Sequence, residues 1–219
     1  AVNAIKYVGA KVVFIDVNFL TSQIDESLLE KKITKKTKAL IVPHLYGQSA
    51  EIEKIKKICK KKKVFLVEDC AESFGCFFNQ KHLGTFGEIG TFSFFGSKTI
   101  TTGEGGMVVT SNKKLANKIN KLKTQGVVRK KNDYWHDIIG YNYRMTNICA
   151  AIGLAQLEKK DLILKKKNNV FNFYKKKLNS DNTRMNLVIK NSISSYWQIV
   201  IYLKNKKIRD RLKKILEQN

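Results

Sequence analysis

The chain has 219 residues, 43% hydrophobic and 27% charged, with a formal net charge of +24. That length suits one to two domains with an ample core, and no run is long and apolar enough to span a bilayer. The charge raises a nucleic-acid role, but the lysines are spread along the whole chain among many Asn and Ile residues, which marks a residue bias rather than a site.

Residues 1–9 read as the end of a helix closed by Gly9, and residues 11–17 as a strand. Asp25 opens a helix with Leu28, Leu29 and Ile33 at helical spacing. Residues 37–42 form the next strand, ending at Pro43-His44, and Gly47 supports a turn. Residues 51–62 are a helix with Ile52, Ile55 and Cys59 on one face. Its end, Lys60 to Lys63, is the densest basic run and suits a solvated helix terminus. A strand to Asp69 follows. This alternation is the rhythm of a doubly wound α/β domain. Residues 106–110 are a short strand, and 112–123 a helix with Leu115, Ile119 and Leu122 inward. Residues 126–144 lack a period and mix Tyr, Trp, His, Asp and Arg with glycine, as functional loops do. Thr146 or Asn147 caps one long helix, with Ile148, Ala151, Ile152 and Ala155 facing one way, that runs toward Leu178 and bridges to a second domain. Residues 195–203 are a strand of that domain, with a helix from Ile208.

The chain begins Ala-Val-Asn-Ala-Ile, within a helix-like pattern, and ends in another, so it reads as a fragment. No signal peptide is visible. The four cysteines, Cys59, Cys70, Cys76 and Cys149, form no CxxC pair and no metal-ligand spacing with the three histidines. Reduced thiols in a cytoplasm are the economical reading, with no metal.

Two stretches carry chemistry. Residues 64–69 are a continuous apolar run ending in acids, which suits a strand buried on both faces of a parallel sheet. Ligands of such sheets sit at the carboxyl ends of strands, so Asp69 stands where a site would be. The plain alternative is a helix cap. The second stretch starts as an aromatic strand, residues 91–95, passes through Gly96-Ser97-Lys98 and enters a loop of hydroxyls and glycines. A P-loop needs Lys directly after its last Gly. Ser97 intervenes here, and a strand precedes it, so that reading is rejected. A lysine held against apolar surface has its ammonium form disfavoured, which frees an amine for a Schiff base. A strand-end lysine reaching solvent is the plain alternative. A lysine for a carbonyl and an acid for a pyridinium nitrogen are what pyridoxal phosphate (PLP) needs.

Four stretches in order then resemble one family: Pro43-His-Leu-Tyr-Gly-Gln48, Val67-Glu-Asp-Cys-Ala-Glu-Ser73, Thr91-Phe-Ser-Phe-Phe-Gly-Ser-Lys98 with Thr101-Thr-Gly-Glu-Gly-Gly106, and Gly140-Tyr-Asn-Tyr-Arg-Met145. The chain is similar to the DegT/DnrJ/EryC1/StrS sugar aminotransferases of the aspartate-aminotransferase fold. Within that family the stretch from Tyr134 to Gln156 is most like perosamine-synthase-type members. The resemblance implies a three-layer α/β/α large domain of PLP-transferase fold type I over residues 1–150. Residues 151–219 would add a bridging helix and the start of a smaller α+β C-terminal domain. It implies that Lys98 carries PLP as an aldimine and then moves the proton, that Asp69 holds the pyridine nitrogen, that Glu72 reaches the ring hydroxyl and that Ser93 binds the phosphate. Asn142 would reach the cofactor phosphate of a neighbouring subunit, giving a homodimer with composite sites. Arg144 would hold a donor carboxylate, and His136, with Trp135, would line the sugar-nucleotide side.

The plain alternatives are a first-turn helix acid for Glu72, a backbone-bonded hydroxyl for Ser93, an ion pair for Arg144 and loop packing for His136. The implied reaction moves an amino group from glutamate to a GDP-linked 4-keto-6-deoxy sugar, for a surface polysaccharide such as lipopolysaccharide O-antigen, in a cytoplasm. A UDP-linked sugar is the rival substrate. A PLP-dependent dehydratase of the same fold, which would carry histidine at position 98, and a basic nucleic-acid-binding protein are the rival functions. The resemblance also implies that a phosphate loop, a ring-stacking aromatic and more of the C-terminal domain lie outside this chain.

Overall fold

The computed structural model describes residues 1–130, 133–178 and 183–218, with side chains other than those of 128–130, 133 and 134. In chain order the elements are α1 (Val2–Tyr7), α2 (Leu29–Lys32), β1 (Ala39–Pro43), α3 (Ile52–Lys62), β2 (Phe65–Asp69), β3 (Phe77–Phe78), β4 (Lys81–His82), β5 (Ile89–Ser93), β6 (Gly106–Val109) and α4 (Lys113–Lys123). Then come β7 (Val127–Lys130), β8 (Asp133–His136), α5 (Asn147–Glu158), α6 (Lys160–Lys177), β9 (Thr183–Met185), β10 (Ser192–Ile193), β11 (Ile201–Leu203) and α7 (Lys206–Gln218).

A four-stranded sheet in the order β1-β2-β5-β6 is the frame. β1, β2 and β5 are parallel, and β6 runs antiparallel to β5. The parallel register sets Pro43 beside Asp69 and Asp69 beside Thr91. Three of the four sequence motifs therefore leave the sheet at one edge, side by side.

α3 forms because Ile52, Ile55 and Cys59 make one apolar stripe, and all three are buried. Its last turn carries Lys60, Lys61 and Lys62, favourable at the negative end of the helix dipole. Lys63 closes it in the left-handed region, its N–H reaching the carbonyls of Cys59 and Lys60. The stripe packs into a core with Leu29, Val42, Leu66, Leu83 and Phe86. Asn112 caps α4 by accepting from the N–H groups of Lys114 and Leu115, and Thr146 caps α5 by accepting from Cys149.

Several expectations are corrected. Residues 11–16 are not a strand: among the described residues they have no strand to pair with, only Val17 bridges to Ile24, and Val13 and Phe14 are exposed. β2 is not buried on both faces, since Phe65 is 62% exposed while Leu66 and Glu68 point inward. Residues 126–144 hold the hairpin β7–β8; Lys131 and Asn132 at its turn lie outside the described residues. The long helix breaks at Lys159, whose φ of −96° and ψ of 8° end α5 before α6 starts. α5 buries none of its residues, and Ile148 is 76% exposed. The strand expected over 195–203 is confined to β11. Tyr196, at φ +47°, turns the chain out of the extended conformation.

Candidate active site

Asp69 ends β2 and is half-buried. One carboxylate oxygen accepts from the Ala71 N–H at 3.2 Å, and the other has no partner among the described residues. Ser93 ends β5, next to β2 in the sheet. Its Oγ accepts weakly from the Phe95 N–H at 3.4 Å, and its own O–H has no acceptor among the described residues.

Beyond Ser93 the chain makes a compact loop. The Phe94 N–H reaches the Gly105 carbonyl at 2.9 Å, and the Phe94 carbonyl accepts from the Thr102 N–H at 2.9 Å and the Thr101 hydroxyl at 3.1 Å. Lys98 rides on this loop, its N–H bonded to the Phe95 carbonyl at 2.9 Å. The apolar surface it meets is not the preceding strand: Phe95 is exposed, and Lys98 Nζ lies 4.1 Å from the centre of the Trp197 ring. Trp197 lies far along the chain, 99 residues after Lys98, and no local pattern pointed to it.

Glu72 is positioned by the backbone of a distant turn. Residues 70–75 are turns, not a helix, so Glu72 is not a first-turn helix acid. Its Oε2 accepts from the Tyr46 N–H at 2.7 Å and holds the turn in which Tyr46 sits at φ +61°. Gly47 follows at φ +77°, and a Cβ there would stand 2.4 Å from the Trp197 backbone nitrogen and 2.8 Å from Ser195 Oγ. Gly47→Ala is therefore expected to cost about 2–4 kcal/mol through backbone strain and overpacking, measurable by urea unfolding.

Beneath the site lies a buried polar group that sequence reasoning missed. Glu68 is 0% exposed. Its Oε1 accepts from the N–H groups of Phe86 (2.6 Å) and Gly87 (2.8 Å), and its Oε2 from the Gly84 N–H (2.8 Å) and His44 Nε2 (3.2 Å). The Ala50 N–H donates to His44 Nδ1 at 3.1 Å, so that nitrogen carries the lone pair and the ring proton sits on Nε2. Burial pushes the Glu68 carboxyl up, but the His44 bond and the Gly87 and Gly84 N–H groups outweigh it and hold it below the usual range. Cys70 lies close enough to His44 and Glu68 to suggest a metal trio. Burial pushes its thiol far up, though, and Glu68 already has four donors, so the group is a hydrogen-bonded core. The signal available in the sequence was the Glu68-Asp69 pair: successive strand residues face opposite ways, so one acid turns inward.

Asn142, Arg144 and His136 are solvent-exposed and share no hydrogen bond or ring contact with the Asp69–Ser93–Lys98 group. Asn142 bridges to Thr124. Arg144 makes no ion pair among the described residues. His136 Nδ1 donates to the Gln125 carbonyl at 3.0 Å. Tyr141 and Tyr143 stack with ring centres 4.9 Å apart.

All 219 residues match the DegT/DnrJ/EryC1/StrS aminotransferase family. The chain belongs to this family. It is 48% identical over 213 residues to the GDP-perosamine synthase of Escherichia coli O157:H7, covering 97% of this chain and 58% of that protein. It is 43% identical over 221 residues to the GDP-perosamine synthase of Vibrio cholerae, covering 100% of this chain and 60% of that one. Among solved structures it resembles Helicobacter pylori PseC, an aminotransferase involved in the biosynthesis of pseudoaminic acid. The TM-score is 0.91 at 30% identity, over 99% of this chain and 58% of PseC. The chain thus has the α/β fold of a sugar aminotransferase and spans a little under two thirds of the length of these relatives.

Proposed function

We propose that the protein is a PLP-dependent aminotransferase acting on a nucleotide-linked keto sugar. The observation that carries this is Asp69 at the end of β2 and Lys98 on the loop that leaves the neighbouring parallel strand β5, in a chain of this family. The donor set fits the cofactor: an amine, a half-buried carboxylate with one open oxygen, and a hydroxyl free to donate. When bound, PLP supplies a carbonyl that bonds an amine and a ring that takes up electron density from the neighbouring carbon. Lys98 would hold the cofactor and, once freed as an amine, would move a proton at Nζ. Asp69 keeps the pyridine nitrogen protonated with its open oxygen. The Ser93 hydroxyl donates to the phosphate. Glu72, with one oxygen engaged by the Tyr46 N–H, has the other for the ring hydroxyl.

The substrate we favour is a GDP-linked 4-keto-6-deoxy sugar, with glutamate as donor, giving a perosamine-type product. The chain's likeness to the two GDP-perosamine synthases supports it. Homodimerisation is part of this reading: the uncovered apolar surface of α5 and the exposed Asn142 and Arg144 suit a second copy, whose cofactor phosphate Asn142 would reach. Arg144 then offers its planar fork to a donor carboxylate, and His136 the sugar-nucleotide side. Residues 1–150 would form the cofactor-binding domain and 151–219 the bridge and part of a second. No helix among the described residues is long and apolar enough to cross a membrane, and a cytoplasmic setting is part of the same proposal.

The test uses the full-length protein. After incubation with PLP and reduction with borohydride, peptide mass spectrometry is expected to find the pyridoxyl label on Lys98 and to lose it in Lys98→Ala. A folded protein with no label there would defeat the reading.

A further inference from the structure

Trp197 has no part in the chemistry above, yet it is held in place from three sides. Behind it, the Ser195 N–H donates to the Gly47 carbonyl at 2.9 Å, and Ser195 Oγ lies 3.2 Å from Cys76 Sγ. Tyr196 takes the left-handed φ of +47° and stacks on Phe171 of α6, ring centres 3.8 Å apart and 15° from parallel. A bulky residue adopts that conformation only where its surroundings enforce it. The turn sends the Tyr196 ring to α6 and the Trp197 ring to the Lys98 loop. Lys167 Nζ donates to the Trp197 carbonyl at 3.4 Å, and Trp197 Nε1–H donates to the Ser97 carbonyl at 2.8 Å. Fixed at backbone and ring, the indole offers its face to Lys98 Nζ at 4.1 Å.

We propose that Trp197 is a positioning residue for Lys98: its ring holds the lysine as an ammonium ion in the cofactor-free protein, and the amine leaves that ring to bond the cofactor. This rests on the aminotransferase reading. The ring attracts a cation through its quadrupole and has little hold on a neutral amine. Bonding needs the neutral amine. The ammonium gives its proton to solvent, the nitrogen bonds to the aldehyde carbon, and the aldehyde oxygen departs as water. The contact therefore stabilises the state before loading. A cation–π contact of this kind slows loading about 2- to 30-fold.

The experiment compares cofactor-free full-length wild type with Trp197→Leu and Trp197→Phe. Each is mixed with PLP, quenched with borohydride at timed intervals, and the label on Lys98 is counted by peptide mass spectrometry. The leucine variant is expected to load about 2- to 30-fold faster, and the phenylalanine variant at an intermediate rate, because its ring attracts cations less than indole does. Lys167 is the internal control. Burial lowers its amine below the ordinary lysine range and it touches the same segment, so a segment that had come loose would speed its labelling too. An unchanged rate at Lys167 with a faster one at Lys98 supports the proposal. Leucine loading at or below the wild-type rate, or an equal rise at both lysines, overturns it. If the leucine variant does not fold, the phenylalanine variant decides: faster than wild type supports, equal overturns. Absence of label on Lys98 in the wild type itself removes the aminotransferase reading, and the proposal with it.

Discussion

Lys98→Ala in the full-length protein is expected to lower amino transfer to a keto sugar by about 10³-fold or more while the protein stays folded. The loss is large because, in the proposed function, one side chain does two jobs: it anchors the cofactor and it moves the proton, a role worth about 10²–10⁴-fold by itself. The stability change is small. Lys98 gives up one half-buried contact with the Trp197 ring, of about 1 kcal/mol, and its backbone bond to Phe95 remains. Steady-state kinetics beside thermal unfolding read the two quantities separately. Activity within tenfold of wild type would mean that Lys98 is not the reacting amine. A rate loss matched by a collapse in stability would place the residue in the fold rather than the chemistry.

The strand ends were legible in the sequence because each rests on a local pattern. The alternation of strand and helix, the acids after residue 67 and the lysine after an aromatic strand all lie within a few residues of what they predict. The parallel register then brought Asp69 and Thr91 side by side, as a ligand site at carboxyl ends requires. What local patterns missed was what depends on distance. Residues 11–16 have the composition of a strand, but strand formation needs a neighbour, and none of the described residues provides one. Trp197 reaches Lys98 only because Tyr196 turns through a positive φ, and an aromatic residue gives no signal for that. Glu68 was passed over because it sits between an apolar run and the more conspicuous Asp69. Its four donors come from His44 and from the 84–87 segment, both far away in the chain.

Glu68→Gln should remove much of the protein's stability although the change is nearly isosteric. A carboxylate is acceptor-only, and here four donors converge on it. The glutamine amide keeps one acceptor and brings an NH2 group. If its oxygen serves Phe86 and Gly87, the NH2 faces the Gly84 N–H and the proton on His44. The histidine cannot relieve this by moving its proton to Nδ1, because the Ala50 N–H already points there. Turning the amide over strands Phe86 and Gly87 instead. Two buried donors are left unpaired in either arrangement, at about 1–3 kcal/mol each, or about 2–6 kcal/mol together. Domains of this kind are stable by about 5–15 kcal/mol, so the urea midpoint should fall sharply at neutral pH. Acid should bring the two proteins together. The Glu68 carboxyl is held below its unfolded value of about 4.3. Its contribution is therefore complete above that pH and is lost as pH falls through the lower folded value, whereas glutamine has nothing to titrate. Equal midpoints at neutral pH would show that the four bonds contribute nothing net. The expected loss would instead explain why a buried carboxylate is kept directly beneath the site. Val42 and Glu68 are register partners, and the His44–Glu68 bond joins the ends of β1 and β2 where Asp69 emerges.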